Sequence, residues 1–157
     1  MEDETRKIKV SLTEDPPAGE GVRGSIQNFI MGLSVPEKVE LAGKGNKEVR
    51  EILSRDPNRM VARAVMSSPR LTDADVGFYA AAAQTNEEIL RAIGENREYM
   101  SNSNILLALV SNPRTPAPVA LRHLSRLKAN ELGIIGRNRS VSALVRQEAK
   151  RLLLRKR

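Results

Sequence analysis

The sequence predicts an all-α fold built from a repeated helical unit, and three observations carry that prediction. The chain has 157 residues with no Cys and no Trp, and only Phe29, Phe78, Tyr79 and Tyr99 are aromatic, so its core is aliphatic. Leu, Ile, Val, Ala and Met, together with Glu, Arg and Lys, suit helices better than strands. Apolar residues recur at helical spacing, as in Val49, Ile52 and Leu53 or Ile89, Leu90 and Ile93. The chain also repeats itself: Asn46–Asp56 aligns without gaps on Asn86–Asn96, forty residues later.

Residues 1–21 are polar and carry Pro16-Pro17 and Ala18-Gly19-Glu20-Gly21, the composition of a flexible N-terminal arm. Inside it Lys7–Leu12 alternates polar and apolar, which suits a strand, but the chain offers no sheet for that strand to join. The helical-repeat domain is expected over 22–157. It opens with a helix over about Ser25–Leu33, whose Ile26, Phe29, Ile30 and Leu33 share one side and cap the open end of the repeat stack.

Three units then begin near Ser34, Thr72 and Thr115, spanning about 34–71, 72–114 and 115–157, and each reads as three short helices. The first helix of each is expected to start on a Ser or Thr cap, whose oxygen accepts a free amide of the first turn. Ser34 and Glu37 fit a capping box, with Pro36 tolerated in the first turn. The second helix begins near Asn46, Asn86 and Ala129 and ends at Ser54, Gly94 or Gly136. The third presents Val61, Ala64 and Val65, then Ile105, Ala108 and Leu109, then Leu144, Val145, Leu152 and Leu153. Pro69 and Pro113 stop it, since proline lacks the N–H and clashes with the preceding turn. One such unit cannot bury its apolar faces alone, whereas stacked neighbours complete a continuous core.

A three-helix unit at this period resembles the HEAT and armadillo α-solenoids. Ser68-Pro-Arg-Leu-Thr72 and Asn112-Pro-Arg-Thr-Pro116 resemble the bacterial leucine-rich-repeat-variant proteins, which are also solenoids. With Arg55-Asp-Pro-Asn58 they also resemble a set of small bacterial proteins of unknown function. The resemblance covers Ser34–Arg157 and implies a right-handed α-solenoid whose third helices line a concave surface. Iron–sulfur variants of the class use a Cys cluster that this chain lacks, so that role does not carry over.

Charge points to the functional surface. Lys and Arg number 26 against 19 Asp and Glu, a net of +7. From Arg114 onward there are twelve basic residues and two acidic ones, Glu131 and Glu148, a net of +10 against −3 for the first 113 residues. Such a basic third suits an acidic partner. By the armadillo resemblance, Arg55, Arg59 and Arg63 in the first unit and Arg146 and Lys150 in the third are candidates for a basic groove. The tail adds Arg151, Arg155, Lys156 and Arg157, which serve equally as cations at a helix C-terminus.

No residue set supports catalysis. The single His123 has no recognisable Ser/Asp partners and reads as a surface or packing histidine. The acidic pairs Asp73/Asp75, Glu87/Glu88 and Glu48/Glu51 sit in repeated helix starts, where the helix dipole favours them. Asp56, Asn96 and Asn138 recur at one repeat position and read as caps or Asx turns. Gly43–Lys47 lacks the GxxxxGK[ST] spacing of a phosphate loop. Absent Cys and a lone His leave no metal or cofactor motif. The expectation is a non-enzymatic, cytoplasmic scaffold binding a protein partner, without signal peptide or membrane span. A nucleic-acid binder is the alternative, weakened by the scarcity of aromatics to stack on bases.

Overall fold

Short polar side chains set where most helices begin. The computed structural model describes Leu12, Thr13 and residues 23–156, and among these it contains eleven α-helices and no strand. The rest of the expected N-terminal arm, and Arg157, lie outside the described residues. The chain divides into two compact units between Thr72 and Asp73.

The N-terminal unit holds α1 (Arg23–Met31), α2 (Val35–Lys44), α3 (Lys47–Ser54) and α4 (Arg59–Met66). Ser34 Oγ accepts from the Glu37 amide at the start of α2. Asn46 Oδ1 accepts from Val49 at 3.1 Å at the start of α3, and Asn58 Oδ1 from Met60 at 2.8 Å and Val61 at 3.2 Å at the start of α4. Each bond satisfies an amide that the helix leaves without a partner. α2 packs on α4, α3 packs on both, and α1 packs on α3. Ile26, Ile30, Val49, Leu53, Val61 and Val65 are buried between them. Leu12 is buried too, its carbonyl accepting from the Asn46 amide at 2.7 Å.

The C-terminal unit holds α5 (Asp73–Ala81), α6 (Glu87–Glu95), α7 (Arg97–Ser101), α8 (Ser103–Ser111), α9 (Ala117–His123), a 3₁₀ turn (Leu124–Arg126), α10 (Ala129–Arg137) and α11 (Ala143–Lys156). α5 packs on α8, α6 on α7 and α8, α9 on α6 and α8, and α10 along α11. The core is mainly aliphatic, as the composition predicts: Ile89, Leu90, Ile93, Leu109, Leu124, Leu127, Leu132 and Ile135 have no exposed surface, and the aromatic Tyr79 of α5 is fully buried with them. Burying each such side chain contributes about 1.5–3 kcal/mol.

Two local expectations are corrected. Thr115 does not cap a helix. α9 starts two residues later, and the buried Thr115 hydroxyl donates back to the Leu109 carbonyl at 2.7 Å. Thr85 does the same to Tyr79 at 2.6 Å. Both threonines close a four-residue turn between one helix and the next, and a buried hydroxyl takes the nearest free carbonyl. The third helix of the second unit is also preceded by the separate five-residue α7, because Asn96 and Asn102 each start a helix, accepting from Tyr99 and from Asn104 and Ile105.

Candidate binding surfaces

The predicted cations fall into both compact units. Arg55 follows α3, and Arg59 and Arg63 lie one turn apart on α4; all three are exposed in the N-terminal unit. In the C-terminal unit several are already engaged. The Arg146 guanidinium donates to the carbonyls of Val141 at 2.6 Å and Arg139 at 3.3 Å. Lys156 Nζ donates to the Leu127 carbonyl at 2.5 Å. Arg151 pairs with Glu148, whose carboxyl is thereby held below its ordinary range. Lys150 lays its stem over Gly136, its Cγ 3.1 Å from where a Cβ would stand, while Arg155 is exposed.

The recurrent polar positions do structural work. Asp56 Oδ1 accepts from the Asn58 amide at 2.8 Å and Oδ2 from Lys38 Nζ at 2.7 Å. Asn96 caps α7, and Asn138 Oδ1 closes a turn on the Ser140 amide at 2.9 Å. Asp73 and Asp75 lie in the first turn of α5, Glu87 and Glu88 in that of α6, and Glu48 in that of α3.

His123 is a packing residue. It is buried at the end of α9 with Nε2 2.8 Å from the Gly94 carbonyl oxygen. A carbonyl only accepts, so Nε2 carries the proton and the neutral ring is the Nε2–H form. Burial pushes its pKa below the ordinary range; the Gly94 bond opposes this, and the charges of Arg126 and Arg122 reinforce it. Gly94 is what admits the close crossing of α6 and α9. A Cβ there would stand 2.6 Å from Val119 Cγ1 and 3.7 Å from His123 Nε2.

Beside this crossing lies a depression of about 430 Å³ within the C-terminal unit. His123 and Met100 line it, together with Arg97 from α7, Arg122 from α9 and Arg126 from the 3₁₀ turn. Glu95 is the acidic residue on its wall. All three arginines are exposed, and none has a hydrogen bond or ion pair among the described residues. The amino-acid pattern does not single them out, because they are separated by up to 29 positions and only the α6–α9 crossing brings them to one wall.

No protein-family model, curated protein or solved structure matches the chain. The helical-repeat resemblance therefore rests on the residues themselves. Among the described residues no helix is long and apolar enough to cross a membrane.

Proposed function

We propose that the chain is a non-enzymatic helical-repeat scaffold that binds an acidic protein partner through its C-terminal unit. In this reading three helical repeats, the second carrying the additional short α7, form a right-handed α-solenoid, α1 caps one end, and the setting is the cytoplasm. The observation that carries it is the composition of α10, α11 and the turn between them. Arg137, Arg139, Lys150 and Arg155 are exposed there with no hydrogen bond or ion pair from their side chains among the described residues. Large apolar side chains lie among them: Ile134 is 48%, Leu144 56% and Leu154 70% exposed. Cations interspersed with apolar anchors suit a protein surface, where burial supplies affinity and charge supplies steering.

The net +10 from Arg114 to Arg157 favours the second reading, a nucleic-acid binder. One experiment separates the two. The immobilised chain and its Arg139→Glu/Arg155→Glu variant are exposed to cell extract with and without nuclease, and the retained proteins are identified. A protein held by the native chain after nuclease treatment and lost by the variant supports the scaffold. Capture that vanishes with nuclease, together with duplex or single-strand affinity falling steeply with salt, replaces it with the nucleic-acid reading.

A further inference from the structure

We infer that the depression beside the α6–α9 crossing is a binding site for a small phosphorylated molecule, held by Arg97, Arg122 and Arg126. The site is lined from α6, α7, α9 and the 3₁₀ turn and does not depend on the scaffold reading.

Three observations on one wall support it. First, three guanidinium groups from three different elements line the same depression, opposed by the single carboxylate of Glu95. Like charges gathered around one hollow repel one another, and an anion seated among them relieves that repulsion. Second, these arginines are uncommitted. Elsewhere in the fold Arg50, Arg70 and Arg146 donate to backbone carbonyls and Arg151 holds Glu148. Arg97, Arg122 and Arg126 do nothing comparable among the described residues, so their planar donor forks are available to a ligand. Third, about 430 Å³ lies in the range of small-molecule sites, and Met100 adds an apolar element to the wall.

The class of ligand comes from the donor count. One guanidinium fork satisfies a carboxylate through two parallel bonds. Three forks exceed what a single carboxylate accepts, whereas a phosphoryl group offers up to three terminal oxygens and close to two negative charges. His123 supplies no cation here: its Nε2–H is engaged with Gly94, and it forms a neutral side of the depression.

The test is calorimetric titration of the full chain at low salt, with inorganic pyrophosphate as probe and citrate as a carboxylate of comparable charge. One saturable site for pyrophosphate is expected, weakened about tenfold by Arg122→Gln or Arg126→Gln and further by the pair. Arg97→Gln, on a different helix, is expected to weaken it as well, so the outcome does not hang on one variant's folding. All three side chains are exposed, and thermal unfolding of each variant verifies that the fold persists. Arg114→Gln, exposed in the turn before α9 and outside the cleft lining, is expected to leave the affinity unchanged. No saturable binding at millimolar pyrophosphate, citrate binding as tightly, indifference to the three cleft variants, or equal weakening by Arg114→Gln would each overturn the assignment.

Discussion

At the turn after α8, Asn112 is buried and its Nδ2 donates to the carbonyls of Ala80 and Ala82 at 2.7 and 2.9 Å. At the turn after α10, Asn138 is half-buried and, among the described residues, its side chain bonds only the Ser140 amide two residues on. The glycines near the ends of α6 and α10 differ in the same sense. Gly94 is covered by Val119 and His123 of α9, and Gly136 by the stem of Lys150. Around Gly94 and Asn112, polar atoms and bare backbone are closed by fixed side chains packed across elements. On α11 long cations close them instead: Lys150 over Gly136, Arg146 on Val141 and Lys156 on Leu127. Part of the C-terminal positive charge is therefore structural: the Lys150 stem covers bare backbone, and the charged heads of Arg146 and Lys156 donate to carbonyls. Arg137, Arg139 and Arg155 carry none of that duty among the described residues and are the sharper candidates for a partner.

The two asparagines test this contrast most severely. Asn112→Ala removes both donors to Ala80 and Ala82 and the acceptor that holds the Arg114 amide at 2.9 Å. Leaving buried carbonyls without partners costs about 1–3 kcal/mol each, so a loss of about 2–4 kcal/mol is expected. Asn138→Ala is expected to lose about 0.5–1 kcal/mol, since water replaces its local bond. Urea denaturation midpoints at constant slope measure both. Equal losses would erase the distinction between the two turns.

The glycines come next. In Gly94→Ala the new Cβ meets Val119 Cγ1 at 2.6 Å, and overpacking of that kind costs about 1–3 kcal/mol, less about 1 kcal/mol gained in helix propensity. Gly136→Ala meets a flexible lysine stem at 3.1 Å, so neutrality or a gain of up to about 1 kcal/mol is expected. Val119→Ala introduced into Gly94→Ala is expected to recover part of the loss, and a double-mutant cycle reads that coupling directly. Additive effects would show that Val119 is not the obstacle. A smaller loss of about 1 kcal/mol is expected for Arg146→Met, which keeps the stem and removes the donors to Val141 and Arg139.

Helix starts were the most legible part of the fold because a cap is a local event. Ser34, Asn46, Asn86 and Asn96 hold amides two or three positions on, within the reach of sequence reasoning. Thr115 misled for the same reason: a threonine ahead of a helix reads as a cap, but its hydroxyl turned six residues back to a carbonyl that only the folded turn exposes. The small residues Ser54, Gly94 and Gly136 were visible as a repeated position, yet the role of the two glycines depends on which side chain a later helix lays over them. The basic tail was visible as composition, whereas its division into engaged and exposed cations was not. The cleft was hidden: Arg122 and Arg126 stand four residues apart, but Arg97 joins them only through the packing of α6 on α9.

His123 joins the packed crossing to the charged depression and offers the gentlest test of both. Its folded pKa lies below the ordinary value of about 6.5, chiefly through burial, so the unfolded chain takes up the proton first as pH falls. Its contribution is therefore whole above about pH 6.5 and is lost as pH drops from there toward the lowered folded value. Thermal unfolding between pH 8 and pH 5.5 is expected to show this decline, and His123→Gln to flatten it, because an amide Nε2 can still donate to Gly94 and does not titrate. An unchanged slope in the variant would assign the decline to other groups. Pyrophosphate seated among the arginines makes the opposite demand. It offsets the Arg126 and Arg122 charges that hold the imidazole pKa down, so the His123 ring resonances followed by NMR are expected to titrate at higher pH with pyrophosphate than without. A titration curve that does not move while pyrophosphate is bound would place the anion away from His123, and so outside the crossing that Gly94 makes possible.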